Sequence, residues 1–219
     1  MARKTDPTDR VIDAAMALAA LQGWARTSIT DIAAKAGLSL ADLRLRFDSK
    51  GAILRAFLRR IDAQVLAGVG PPDGTESARD RLFDLMMVRF EALRPYRAAI
   101  AVILREAPAD PVGAACFLPD YLGSMGWMLE GAGIASAGVG GTLRANGLAA
   151  INLAVSQVWL TDDSADLGKT MASLDEWLAR AEWLERATGA GRRGRRPQPA
   201  DAKKTDTAEA VGALAEDLS

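Results

Sequence analysis

The residues of this chain best equipped for chemistry are cations and hydroxyls set close together near its N-terminus. Arg44, Arg46 and Lys50 fall within seven residues, and Ser28 and Ser39 each stand three residues ahead of an aspartate, Asp31 and Asp42. Three cations at that spacing suit a phosphate backbone, where each neutralised phosphate releases condensed counterions. A serine three residues before an acid is a capping-box signal for a helix start. Helix starts offer unpaired backbone N–H groups to phosphate oxygens. Composition closes most other chemistry. The chain has no histidine and a single cysteine, Cys116, so a zinc site and a Ser-His or Cys-His nucleophile are unavailable. No glycine-rich phosphate loop follows a strand-like run; "GAGIASAGVGG", residues 131–141, reads as a linker. Carboxylate-pair catalysis alone is left open by composition. We therefore expect no enzyme, no metal and no cofactor.

The elements that must position these groups are helical, since valine and isoleucine occur at helical spacing and no run alternates like a strand. About nine helices are expected. Asp6 and Pro7 look like an N-cap and first-turn proline, opening a helix to about Gln22. Ser28 opens a second helix, Gly37 sits where a left-handed residue ends it, and Ser39 opens a third. Asp48 or Ser49 caps a fourth, with a stripe through Ile53, Phe57, Leu58, Ile61 and Val65. After the break "GVGPPDG" come helices from Thr75 to Pro95, Pro95 to Glu106, Phe117 to Leu129, Thr142 to Leu160 and Asp166 to Ala187, the last capped by Asp163 or Ser164. Two helices of two turns each, joined only by "GLS", are marginal alone. Supported by the longer helices around them, they form a helix-turn-helix. Its second helix is slim enough for a DNA major groove. Leu43 and Phe47 would face the core with Ile32 and Ala33, while Arg44 and Arg46 point away. The candidate DNA-contact residues are Ser28, Thr30, Ser39, Leu40, Ala41, Arg44, Leu45, Arg46 and Lys50. Leu40 and Leu45 lack hydrogen-bonding groups, so a thymine methyl is the most they can touch. Asp31, Asp42 and Asp48 would repel phosphates.

Charge is divided along the chain. Residues 1–62 hold 11 basic against 7 acidic side chains, a net of +4; residues 63–187 hold 10 against 16, a net of −6; residues 188–219 hold 6 against 5, a net of +1. A basic first third ahead of an acidic body suits a polyanion-facing end.

From Ile12 to Leu54 the chain resembles the N-terminal domain of the TetR family of bacterial repressors. The matching residues are Ile12, Ala15, Leu18, Gly23, Trp24, Thr27, Ile32, Ala33, "AGLS" (residues 36–39), Leu43, Phe47, Ser49, Lys50 and Leu54. The resemblance implies an all-α homodimer, with a DNA-binding domain (residues 1–50) and a helical ligand-binding and dimerisation domain (51–187), followed here by a disordered tail (188–219). It implies a ligand-responsive transcriptional regulator, most simply a repressor, with double-stranded DNA and a small apolar ligand as partners. The family usually has an aromatic where Arg44 stands, often His at Arg46, and a small residue at Asp42. A second resemblance, carried by "LRPYRAAIAVIL" (93–104) and residues 147–181, is to the TetR-like accessory protein of ubiquinone biosynthesis, which implies isoprenoid lipid in place of DNA and a C-terminal membrane-binding helix. The final "TAEAVGALAEDL" is only weakly amphipathic and acidic, unlike a good membrane helix.

In the body, Met86, Met87, Phe90, Tyr121, Trp127, Met128 and Trp159 are large and soft and are expected to line an apolar pocket between helices. Arg89, Arg105 or Glu106 would supply one polar anchor. On the last two helices Ala145, Ala149 and Ala150 allow close approach, and Ile151, Val155, Trp177, Leu178 and Leu184 offer an apolar face for a two-fold four-helix bundle. "RRGRR" (192–196) reads as part of a solvated tail. The start, "MARKTDPTDR", has charge with no apolar core behind it, and the longest aliphatic run, "AAIAVIL", is too short for a bilayer. With one cysteine, a cytoplasmic location without stable membrane insertion is expected.

Overall fold

The computed structural model describes residues 6–70 and 75–188, and every regular element among them is helical. The N-terminal unit is built from α1 (Pro7–Gln22), α2 (Ile29–Ala36), α3 (Leu40–Arg44) and the start of α4 (Lys50–Leu66). Asp6 accepts from the Thr8 amide ahead of the N1 proline. Ser28 and Asp31 form the full capping box. Gly37 closes α2 in the left-handed conformation (φ 66°), where a side chain would be strained. Ser39 caps α3, and Ser49, of the two candidates, caps α4. An isolated helix of α3's length would not form in water. Leu43 and Phe47 hold it by burial beside Ile32 and Ala33, each side chain contributing about 1.5–3 kcal/mol.

The second unit comprises α5 (Ala78–Leu93), α6 (Arg97–Glu106), α7 (Pro111–Gly131), α8 (Gly138–Trp159) and α9 (Gly168–Thr188), with short 3-10 turns at 94–96 and 107–109. α4 packs on α5 and α7, α7 on α8, and α8 on α9. α1 lies against α6, so the two units share a continuous core rather than a bare linker.

Several boundaries differ from the sequence reading: α5 starts at Ala78 behind the cap Ser77 rather than at Thr75, and α6 starts at Arg97 rather than Pro95. α7 starts at Pro111, six residues before Phe117, because Asp110 caps it ahead of an N1 proline, the device already recognised at Asp6–Pro7. The helix continues through Pro119, whose missing N–H would have met the carbonyl of the solvent-exposed Ala115. α8 starts at Gly138 rather than Thr142. Its glycines disfavour helix, but Gly141 passes so close to Ser136 that an added Cβ would lie 2.0 Å from that residue's carbonyl carbon. Glu130 Oε1 pins the preceding linker by accepting from the Ser136 amide and hydroxyl. The loop before α9 is organised by Asp162, whose buried carboxylate accepts from Thr170 N–H (2.8 Å), Thr170 Oγ1 (2.7 Å), Ser164 N–H and Ser164 Oγ, while Ser164, one of the two expected caps, accepts from the Gly168 amide at the start of α9 at 3.0 Å. The tail expected over 188–219, with "RRGRR" and the acidic amphipathic end, lies outside the described residues apart from the backbone of Thr188.

Candidate nucleic-acid interface

Ser28, Thr30, Ser39, Leu40, Ala41, Arg44, Leu45 and Arg46 all stand on the exposed surface of α2, α3 and the turn after α3. On the helical wheel Ala41 and Leu45 point directly away from Leu43 and Phe47. Leu40 and Arg44 fall on one flank, Asp42 and Arg46 on the other. The charged groups here are held by short-range partners. Arg44 pairs with Asp48 one turn on, and Arg46 Nη1 donates to the Asp42 carbonyl at 2.8 Å. The Asp42 carboxylate accepts from the hydroxyl of its capping Ser39, which lowers its pKa below the usual range. The Ser28 hydroxyl and amide do the same for Asp31. Both acids are therefore ionised at neutral pH, and Asp42 lies within the field of Arg46.

Lys50 departs from the sequence reading. Its Nζ donates to the Trp24 carbonyl (2.7 Å) and the Thr27 carbonyl (3.0 Å) and lies 4.6 Å from the Trp24 ring centroid. Burial lowers its pKa, opposed by the charges of Asp110 and Glu106. The ammonium is thus committed to the α1–α2 turn rather than turned outward for phosphate, because the turn's carbonyls have no helical partners of their own. Glu106 braces the same turn from the end of α6: its Oε2 accepts from the Ala25 amide at 2.8 Å. Gly23, with φ 95°, leaves the space the carboxylate needs, since a Cβ there would meet Glu106 Oε1 at 2.7 Å. Glu106, weighed from sequence as a ligand anchor, is instead a tie between the N-terminal unit and the body.

The expected pocket residues do not share one chamber. Met86, Phe90, Met128 and Trp159 are packed in the core, with the Phe90 and Trp159 ring centroids 5.7 Å apart. Met87 and Tyr121 are half-buried. The Tyr121 hydroxyl accepts from Asn152 Nδ2 at 2.6 Å and donates to the Ala149 carbonyl at 3.3 Å, and burial pushes its pKa up. Trp127 is 63% exposed. It borders an open cleft of about 390 Å³ between α7 and α8, with Leu122, Gly126, Ala145 and Asn146. Arg89 is 2% exposed and is spent on a buried ion pair with Asp62, whose carboxylate also accepts from Ser124 Oγ at 2.7 Å. Sequence reading missed this α4–α5–α7 junction, although an Asp inside an apolar stripe was its signal. Arg105 is exposed.

Residues 11–57 match the family described as bacterial regulatory proteins, tetR family. The fold is similar to that of a TetR transcriptional regulator from Nitrosomonas europaea, with 25% identity, a TM-score of 0.64, and coverage of 81% of this chain and 98% of that one. It is also similar to a TetR regulator from Rhodococcus sp. RHA1 (18%, TM-score 0.55, coverage 80% and 98%) and to GusR of Salmonella enterica (21%, TM-score 0.56, coverage 84% and 97%). No curated protein matches the chain.

Proposed function

We propose, from the match of residues 11–57 to the tetR family of bacterial regulatory proteins, that this chain is a ligand-responsive, non-enzymatic, cytoplasmic repressor acting as a homodimer on double-stranded DNA. The observation that carries the reading is α3. It is a five-residue helix fixed from behind by Leu43 and Phe47 and entered through the Gly37 turn, with its other side open to solvent. A major groove admits such a helix, and a dimer would place two of them about 34–36 Å apart. In this proposal residues 1–50 contact DNA through Ser28, Thr30, Ser39, Leu40, Ala41, Arg44, Leu45 and Arg46. Residues 51–187 bind ligand and dimerise. The open α7–α8 cleft at Trp127 is the ligand's point of entry, and a small apolar molecule is the class its lining suits. Ligand response requires unequal affinity for the DNA-competent and DNA-incompetent states. The Lys50 and Glu106 hydrogen bonds to the α1–α2 turn are where a shift of α4 or α6 would reach the DNA-binding helices. The test is binding of the full chain to duplexes from its own upstream region. Sequence-preferring binding supports the proposal; uniform binding to all duplexes counts against it.

A second reading, a lipid-binding accessory role without DNA, is favoured by one observation: the cations expected to clamp phosphate are tied up by Asp48, the Asp42 carbonyl and the α1–α2 turn. Native mass spectrometry of protein taken from cells separates the two readings. A co-purified isoprenoid together with no DNA preference would favour the second. No helix among the described residues is long and apolar enough to cross a membrane.

A further inference from the structure

The solvent face of α3 is unusual in being apolar. Leu45 is 84% exposed and Leu40 51% exposed, with Ala41 exposed beside them. The hydrogen-bonding side chains on the flanks have local partners: Arg44 with Asp48, Arg46 with the Asp42 carbonyl, and Asp42 with Ser39. What remains is Ala41 and Leu45 at the centre of the face, with Leu40 on the flank it shares with Arg44. Two leucines held in water on a very short helix stabilise nothing in the protein alone.

We propose that Leu40 and Leu45 select DNA by the C5 methyl groups of thymine. This inference rests on the DNA-binding reading above and adds to it the feature of the site that is read. The thymine methyl is the one apolar group that a base pair presents along the major-groove edge. Burying it against a leucine side chain recovers the transfer free energy of one methyl, about a fourfold gain in affinity. The same leucine set against the O6 and N7 acceptors of guanine, or the N4 amine of cytosine, strips water from groups that it cannot satisfy. Selection therefore comes from attraction to thymine and from exclusion of G·C pairs. Arg44 lies one turn from Leu40 on the same flank and pairs with Asp48 on the exposed surface.

The experiment begins with selection of the full chain on a randomised duplex library made with ordinary thymine. The enriched sequence is then resynthesised with deoxyuridine replacing each thymine in turn, which deletes the methyl and nothing else. Affinities are measured by fluorescence anisotropy for the wild type, Leu40→Ala and Leu45→Ala. Both substitutions lie at exposed positions, and circular dichroism checks that the variants fold. The expected result is about fourfold weaker binding for each contacted thymine so changed, with the penalty absent at the position read by Leu45 when the protein is Leu45→Ala, and likewise for Leu40. Replacing a contacted thymine with cytosine should weaken binding, and 5-methylcytosine should recover part of the loss. If an enriched sequence is found but tolerates deoxyuridine at every position, methyl readout is overturned and the DNA reading stands. If no sequence is enriched and all duplexes bind alike, the DNA reading falls and this inference falls with it.

Discussion

Lys50 and Arg46 carry the same charge and stand four residues apart, yet their partners give them different work. Lys50 holds the Trp24 and Thr27 carbonyls, whereas Arg46 is exposed and bonds only to the nearby Asp42 carbonyl. Arg46→Ala should reduce the salt slope of DNA binding by about 0.9 for each phosphate left without its cation, with little change in melting temperature. Lys50→Ala should lower the melting temperature by loosening the α1–α2 turn and leave the slope per bound subunit nearly unchanged. Equal effects in a salt-series titration and a thermal melt would refute the distinction. Asp162 gives a pH prediction. The Ser164 and Thr170 donors hold its carboxyl far below the usual range. A depressed folded pKa adds stability that is fully present above the unfolded value of about 3.9 and is lost as pH falls toward the folded value. Asp162→Asn should therefore be less stable than wild type near neutrality, and urea melts should show the gap closing only in strong acid. A gap that widens on acidification would mean the sign is wrong. Spacing revealed that cations cluster at 44–50, but not which of them turns inward, because that depends on where the α1–α2 carbonyls fall in space.

At the scale of elements, local signals that carry their own geometry were legible and long-range ones were not. The capping box at Ser28, the N-cap serine at Ser39, the left-handed Gly37 and the Asp6–Pro7 start each encode a helix boundary within a few residues, and these boundaries stand where the sequence put them. The start of α8 was missed because three glycines read as linker, while the reason for Gly141 is its close approach to Ser136. The buried Asp62–Arg89 pair joining α4 and α5 was likewise hidden, since its members lie 27 residues apart. Leaving one charge buried without its partner is strongly destabilising, whereas replacing both by apolar side chains is often tolerated. Arg89→Met should cost about 3–5 kcal/mol in urea denaturation, and adding Asp62→Leu should restore most of it. Failure of the double variant to recover would show that Ser124 and the rest of the junction require the charges.

At the scale of the molecule, the face proposed for dimerisation divides in two. Ala145, Ala149, Ile151, Val155 and Leu178, expected from sequence at the interface, are buried within the chain itself, because α8 packs on α7 and α9 as well as offering an outer face. The apolar residues left outside include Val139, Leu143, Ala150 and Leu153 on α8, with Trp177, Trp183 and Leu184 on α9. Leu143→Lys with Leu153→Lys should convert a dimer to a folded monomer by light scattering, while Val155→Lys should unfold the chain. A dimer unchanged by the first pair would place the interface elsewhere. The all-helical fold and helix-turn-helix were legible because periodicity and caps are local properties. The pocket was not, because size and softness distinguish Met86 and Phe90 from core residues no better than from lining residues. Regulation by this chain requires that α3 meet DNA. The most direct measurement is the affinity of the full chain for its own upstream duplex against a scrambled duplex of equal composition, across a salt series. The expected result is tighter binding to the upstream duplex at every salt, with log affinity falling linearly as log salt rises. Equal affinities for the two duplexes at low salt would contradict the DNA-binding role of α3.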